Sequence, residues 1–165
     1  MFTLRNISIV GFLICALSLG TAHFLEYEYM VSPCPMCMLQ RIVFWVLGGV
    51  FLLGAIFNFK SLLRYLYSIA IIILSGIGFA IAARQFWLQY FAPPQTVSCS
   101  ASLERLIDLY PFLDALKMAL SGSPECATID FTIFTISVAG WSVVLFGSLT
   151  IVSCYILYLQ KKGRI

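Results

Sequence analysis

The stretch "SPCPMCMLQR", residues 32–41, precedes an apolar segment in a chain that is apolar along most of its length. It places Cys34 and Cys37 three positions apart and ends with Arg41. The apolar segment that follows, about residues 42–59, approaches the length of about 20 residues that a helix needs to cross a bilayer. Three further segments qualify, at about 6–25, 65–83 and 139–159. The pattern predicts an all-α membrane protein, a four-transmembrane-helix bundle.

The composition supports this prediction. Hydrophobic residues make up 61% of the chain and charged residues 10%, whereas an ordinary soluble domain is roughly 25% charged. We therefore expect a single four-helix membrane domain over residues 1–165. The first apolar segment is long for a signal peptide and has no clear cleavage site before His23, so we expect it to remain as a span.

The charges predict the orientation of the spans. Six basic residues, with no acidic residue among them, lie at the two chain ends and in the loop between spans two and three: Arg5, Lys60, Arg64, Lys161, Lys162 and Arg164. All seven acidic residues fall in the other two loops, about 26–40 and 85–130. By the positive-inside rule both termini are cytoplasmic and these two loops are external. The topology accounts for the basic residues, so no nucleic-acid partner is expected.

The second external loop has helical character. Leu103, Leu106, Ile107 and Tyr110 have the spacing of one apolar helical face, and a second piece runs from Phe112 to Leu120. Short amphipathic helices next to a bilayer lie in its interface rather than span it. We expect these two pieces to hold the loop close to the membrane surface.

The six cysteines divide by position. Cys15 and Cys154 lie within spans, where a thiol packs as a small apolar group. The other four all lie in the external loops: Cys34, Cys37, Cys99 and Cys126. Structural disulfides are one interpretation of these four, since a bond across the long loop would constrain the unfolded chain. A pair with two residues between them constrains almost nothing.

Two other interpretations of the four loop cysteines are chemical. A four-cysteine zinc site usually has two short Cys-x-x-Cys hooks, but here Cys99 and Cys126 have 26 residues between them. The second is a redox relay, in which two exchangeable disulfides on one face of the membrane pass electrons through mixed disulfides. A Cys-x-x-Cys pair at the start of a helix favours the relay.

Arg41 follows Cys37 by four residues, so the two side chains share a face if the helix begins near Cys37. A guanidinium and the positive end of the helix dipole would both stabilise a thiolate there. Arg84 ends the third span, and His23 is treated as an interfacial polar residue. The sequence has no haem motif, dinucleotide fingerprint or iron–sulfur cysteine cluster, which leaves a membrane quinone as the electron acceptor by elimination.

Three stretches together resemble one family: "PCPMCMLQR" at 33–41, "RQFWLQYFAPP" at 84–94 and "GSPECA" at 122–127, followed by Trp141. They are similar to the disulfide-bond formation protein B (DsbB) family, the quinone-linked thiol oxidases of the bacterial inner membrane. The resemblance covers nearly the whole chain. It implies a protein-disulfide oxidoreductase that supports protein disulfide-bond formation.

The resemblance also implies the site. Disulfides Cys34–Cys37 and Cys99–Cys126 are expected, and a reduced periplasmic thioredoxin-fold oxidase similar to DsbA would attack Cys99. Cys126 would then pass the bond to Cys34 and leave Cys37 as the thiolate that engages the quinone. Arg41 matches the family's quinone-site arginine, and Arg84 is a weaker candidate for the same role. The quinone is either ubiquinone or menaquinone.

Two other kinds of protein share part of this pattern. A disulfide-stapled four-span scaffold, like the tetraspanins in outline, would need no Cys-x-x-Cys pair at a helix start. A vitamin K epoxide reductase-like enzyme would share the four spans and the quinone-type chemistry, but that family has a different cysteine layout.

Overall fold

Four long helices make up most of the protein. The computed structural model describes residues 4–30, 33–57, 61–91, 108–121, 126, 132–133 and 135–162. The long helices are α1 (Leu4–Tyr29), α2 (Pro35–Ile56), α3 (Ser61–Tyr90) and, at the C-terminal end, α5 (Val138–Lys161), and a short helix α4 (Phe112–Ser121) comes before α5. All four long helices are long and apolar enough to cross a membrane, so the fold is that of a multi-pass membrane protein.

Three helices extend beyond the predicted spans at the end of the bundle that carries the Cys-x-x-Cys pair. α1 continues to Tyr29 rather than ending near residue 25. α2 begins at Pro35 rather than near residue 42, because Cys34 caps the helix and proline suits its first position. α3 continues to Tyr90 rather than ending near residue 83. The prediction ended that span at the first charged residue, Arg84, but a helix can continue beyond the apolar stretch.

A short hairpin precedes α5. Strand β1 (Thr132–Ile133) pairs antiparallel with β2 (Ile136–Ser137), and Thr135 in the turn has a φ of 68°. Ser137 then caps α5, since its hydroxyl accepts a hydrogen bond from the Gly140 amide at 3.2 Å. Residues 131–160 form an uncharged, largely apolar run that is longer than one span, and the hairpin accounts for its first part. α5 begins within one residue of the predicted start near 139.

The second predicted interfacial piece, 112–120, is helical in the structure as α4. Its two alanines at 115 and 119 are buried, while Phe112, Leu113 and Met118 are exposed. Apolar side chains that project from such a helix suit the bilayer interface. Most of the first predicted piece, residues 103–107, lies outside the described residues.

The bundle is packed around aromatic rings and small residues. α1 packs mainly on α2, α3 packs mainly on α5, and α2 joins the two pairs through α3. The rings of Phe44 and Phe146 stack with their centroids 4.1 Å apart at the centre of the core. A side chain at Gly78 would collide with the Phe146 ring. Lipid is as apolar as the helix surfaces, so moving an apolar side chain from lipid into the bundle brings no hydrophobic gain. Small residues let the helices approach closely, and the resulting packing holds them together.

The two ends of the bundle hold different polar groups. The end that carries Cys34, Cys37 and Gln85 is called the sulfur end. The opposite end, called the terminal end, is joined by a hydrogen bond of 2.8 Å between the hydroxyls of Ser8 and Tyr67. A second bond there, of 3.0 Å, runs from Gln160 to the Ser68 hydroxyl. The first and last long helices therefore place both chain termini at the same end, as four crossings require.

Candidate active site

The cap of α2 brings the sulfur atoms of Cys34 and Cys37 together. Cys34 has extended backbone angles, φ −67° and ψ 160°, and its sulfur accepts a hydrogen bond from the Cys37 amide at 3.4 Å. A helix cap makes this contact with the third helical residue, so the Cys-x-x-Cys spacing is also the spacing of a cap. The two Sγ atoms lie 3.0 Å apart, hydrogen-bonded as a dithiol. The predicted Cys34–Cys37 disulfide is the oxidised form of this pair and stays a prediction.

Cys126 joins the pair from the second loop. It is fully buried and shares an apolar cluster with Cys34, Met36 and Leu88. Hydrogen bonds with the side chains of Cys126 and Cys37, together with burial, raise the pKa of the Cys34 thiol. Cys34 therefore lies between two sulfur partners and remains protonated at neutral pH in the dithiol form.

Two glutamines complete the surroundings of the sulfurs. The Gln85 amide nitrogen donates to Cys37 Sγ at 3.1 Å and lies 3.5 Å from Cys34 Sγ. The Gln40 amide nitrogen donates to the Gln85 carbonyl oxygen at 2.7 Å. Both side chains are buried, Gln40 at 5% exposure and Gln85 at 3%. Buried amides are stable only when they are hydrogen-bonded, so this chain links α2 to α3 at the sulfurs.

Arg41 is directed towards α1. Its Nη1 lies 2.5 Å from Glu26 Oε2, and its Nη2 donates to the Ala22 carbonyl at 3.3 Å. His23 Nδ1 lies 3.8 Å from the same Glu26 oxygen. Arg41 therefore stands one helical turn after Cys37 on α2, and its guanidinium is paired with a carboxylate of α1. Its predicted role in binding a quinone is not tested by this contact.

Arg84 makes structural contacts. Its Nε donates to the Leu120 carbonyl at 3.1 Å and its Nη2 to the Ser121 carbonyl at 3.5 Å. These are the last carbonyls of α4, which have no partner within the helix, and a cation at that position also suits the helix dipole. Arg84 thus links α4 to α3. Its weaker predicted role at a quinone site stays a prediction.

The remaining cysteines lie elsewhere. Cys15 is buried in the bundle core, where its Cβ lies 3.4 Å from the position that a side chain on Gly48 would take. Cys154 is on an exposed face of α5. Cys99 lies outside the described residues, so the predicted Cys99–Cys126 disulfide is a prediction still.

Three residues of the site were missed by sequence reasoning: Gln40, Gln85 and Glu26. The two glutamines stand within the quoted stretches, and Gln85 follows an almost uninterrupted apolar run. A polar residue at such a position usually faces the interior of a bundle, and this signal could have identified it. No signal in the sequence paired Glu26 with Arg41, because the pair depends on how α1 packs against α2.

The fold and this site define a multi-pass membrane protein with a dithiol at one end of its helix bundle. Residues 4–156 match the family described as "Disulfide bond formation protein DsbB". The chain belongs to this family.

Proteins of this family align with the chain over most of their length. The chain is 32% identical over 162 residues to "Disulfide bond formation protein B" of Nitrosococcus oceani, covering 98% of this chain and 93% of that one. It is 37% identical over 150 residues to the protein of the same name from Hahella chejuensis, covering 91% of each chain. It is 35% identical over 142 residues to "Disulfide bond formation protein B 1" of Pseudomonas aeruginosa, covering 86% of this chain and 87% of that one. A role in disulfide-bond formation follows for this chain.

Proposed function

We propose that this protein is a quinone-dependent thiol oxidase of the bacterial inner membrane. It takes two electrons from a periplasmic thioredoxin-fold dithiol protein similar to DsbA and passes them to a membrane quinone. The observation that carries the proposal is the cluster of sulfurs in which Cys34 packs together with Cys126 and lies 3.0 Å from Cys37 Sγ. Disulfide exchange requires one sulfur to reach another directly, and this arrangement supplies both contacts.

The first exchange involves the partner. One thiolate of the reduced partner attacks Cys99 of the Cys99–Cys126 disulfide, which forms a mixed disulfide and releases the Cys126 thiolate. The partner's second thiol then displaces Cys99, so that the partner leaves oxidised and both loop cysteines are reduced. Two electrons and two protons have moved from the partner to the loop pair.

The second exchange moves the bond between the two pairs. Cys126 attacks Cys34 of the Cys34–Cys37 disulfide and expels Cys37 as a thiolate. Cys99 then attacks Cys126, which restores the Cys99–Cys126 disulfide and returns a thiol at Cys34. The raised pKa of that thiol suits this product, because Cys34 keeps its proton while Cys37 carries the negative charge.

The donor set beside Cys37 fits a quinone. A guanidinium has five N–H donors, more than the contacts of Arg41 with Glu26 and Ala22 use. Arg41 can therefore hold a carbonyl oxygen of ubiquinone or menaquinone, and the half-buried Cys37 sulfur is within reach of the bilayer edge. A bound quinone supplies the acceptor for two electrons and two protons, so that the Cys34–Cys37 disulfide re-forms.

The proposal includes an orientation. The terminal end faces the cytoplasm and the sulfur end faces the periplasm, since the basic residues cluster around the first end. Membrane-impermeant thiol reagents added from outside after reduction should then label Cys34, Cys37, Cys99 and Cys126. Labelling from the cytoplasmic side only would contradict it.

The test is anaerobic mixing of the purified protein with the reduced partner and with ubiquinone or menaquinone analogues. Quinone reduction should match partner oxidation one to one, and the Cys37→Ser variant should reduce none. Partner oxidation without quinone reduction would contradict the proposal and favour a protein that only exchanges disulfides.

A trapping experiment tests the order of the exchanges. With the oxidised partner, Cys126→Ser should accumulate a mixed disulfide formed when the Cys99 thiol attacks the partner's disulfide, because the loop keeps no second thiol to release Cys99. Cys99→Ser should trap no partner through that position. Normal turnover by both variants would mean that this pair is structural.

A further inference from the structure

The Gln85 amide is the uncharged side-chain donor that contacts both sulfurs of the Cys-x-x-Cys pair. Its nitrogen lies 3.1 Å from Cys37 Sγ and 3.5 Å from Cys34 Sγ, and its side chain is 3% exposed. Placing an amide at such a buried position is unfavourable unless it makes hydrogen bonds. In this site one of those bonds goes to a sulfur atom.

Gln40 determines which end of the Gln85 amide faces the sulfurs. Its own nitrogen donates to the Gln85 carbonyl oxygen at 2.7 Å. The Gln85 NH2 group is then directed towards Cys37, where it can donate to an anionic sulfur. With the amide reversed, a carbonyl oxygen would face that sulfur and destabilise a negative charge.

Arg41 makes its hydrogen bonds with α1 and does not take the place of the Gln85 hydrogen bond to the Cys37 sulfur. Its guanidinium is paired with the Glu26 carboxylate at 2.5 Å and bonded to the Ala22 carbonyl. Among the described residues, the side-chain donors in direct contact with the Cys37 sulfur are the Cys34 thiol and the Gln85 amide. Hydrogen bonds to a charged group are about twice as strong as those between neutral groups, so this amide gains strength when Cys37 becomes a thiolate.

We propose that Gln85 is a catalytic residue whose amide stabilises the Cys37 thiolate released when the Cys34–Cys37 disulfide opens, and that Gln40 is the positioning residue that orients it. The inference rests on the proposed thiol-oxidase function. The leaving Cys37 sulfur is then stabilised by Gln85 of α3 as well as by the N-terminus of α2.

The test measures thiolate reactivity in the reduced protein alone, without partner or quinone. The alkylation rate of Cys37 by iodoacetamide is followed at neutral pH, with the modified site identified by fragmentation mass spectrometry. Gln85→Met keeps the side-chain length but removes the donor, so alkylation should slow by about tenfold, the lower end for a hydrogen bond to a charged group. Gln40→Met should slow it by a smaller factor.

The matched control is Gln160→Met. Gln160 also donates an interhelical hydrogen bond, to Ser68 at 3.0 Å, but at the terminal end of the bundle. Its replacement should leave the alkylation rate of Cys37 unchanged. An equal slowing in this control would mean that the effect comes from loosening the bundle, and it would overturn the proposal.

A pH series separates thiolate content from access to the sulfur. Among the residues that the structure describes, the titratable or charged groups that act on Cys37 are Cys34, Cys126 and Arg41, and the variants retain all three. The difference in alkylation rate between wild type and Gln85→Met should narrow as the pH rises, because Cys37 is then a thiolate in both proteins. A constant difference at every pH would show altered access and would overturn the role of Gln85.

Gln85→Leu keeps the test valid if the methionine variant does not fold. It removes the donor with a side chain of different shape, so alkylation should again slow, and an unchanged rate would overturn the inference. Because this measurement needs no quinone, the two proposals can fail separately. Coupled quinone reduction with unchanged alkylation rejects Gln85 alone, whereas slowed alkylation without quinone reduction rejects the oxidase function alone.

Discussion

The sulfur end and the terminal end of the bundle are built in the same way but hold different chemistry. At the terminal end, Ser8 bonds to Tyr67 at 2.8 Å. At the sulfur end, Gln40 bonds to Gln85 at 2.7 Å, and Gln85 then bonds to Cys37 at 3.1 Å. Both networks connect different helices through buried polar groups. Only the second ends on an atom that can form and break covalent bonds, so an interhelical hydrogen bond serves packing at one end and reactivity at the other.

The largest effect is expected when the reactive sulfur of Cys37 is removed. Cys37→Ser retains the size and the helix position of the side chain but cannot form a disulfide. Quinone reduction by the purified variant should fall below detection, while helix content by circular dichroism stays at the wild-type value. The control is Cys154→Ser on an exposed face of α5, which should keep full turnover. Turnover by Cys37→Ser would contradict the proposed site.

The next test removes the cation of the sulfur end. Arg41→Met should raise the quinone concentration for half-maximal rate by about tenfold or more, since charge-assisted hydrogen bonds contribute about 1.5–3 kcal/mol. Arg41→Lys retains the charge but loses the planar donor group, so it should retain partial activity. The variants should still form the mixed disulfide through Cys99.

Arg84→Met is the control for the loss of an arginine. Its contacts are with the Leu120 and Ser121 carbonyls, and we expect a smaller change in quinone dependence. An unchanged quinone dependence in Arg41→Met would make that arginine an interfacial anchor, and the quinone site would be wrong.

The core between the two ends should respond in stability rather than in reactivity. In Gly78→Ala the added methyl would meet the Phe146 ring, and overpacking of this kind costs about 1–3 kcal/mol. Gly76→Ala, half a turn away, meets nothing within 4 Å and should stabilise the helix by about 0.5–1 kcal/mol. Unfolding of the detergent-solubilised variants would measure both changes. If Gly78→Ala were as stable as Gly76→Ala or more stable, the packing described for Phe146 would be contradicted.

The smallest effect is expected at the terminal end. Tyr67→Phe removes the hydrogen bond to Ser8, and interhelical bonds of this kind in membrane proteins average about 0.6 kcal/mol. The variant should unfold slightly more easily and should retain wild-type turnover and alkylation of Cys37. A loss of turnover without a loss of stability would mean that the two ends are coupled, and the contrast between them would fail.

Much of the fold was predictable because a bilayer imposes simple requirements on sequence. A run of apolar residues long enough to cross the hydrocarbon can make all its backbone hydrogen bonds within the run only as a helix. Four such runs therefore predicted four helices. The boundaries were less predictable. α2 begins at Pro35 because the Cys34 cap and the proline together start a helix before the apolar residues do.

The sequence by itself determined the number of membrane-spanning helices, the position of the Cys-x-x-Cys pair at the start of one of them and the spacing of one helical turn between Cys37 and Arg41. These features depend on composition and on spacing along one helix, and both can be read locally. The tertiary structure alone decided that Gln85 donates to the sulfurs, that Gln40 orients it and that Glu26 pairs with Arg41. Each of these contacts joins two different helices. Their physical origin is the packing of α1 and α3 against α2, which brings those side chains within hydrogen-bonding distance.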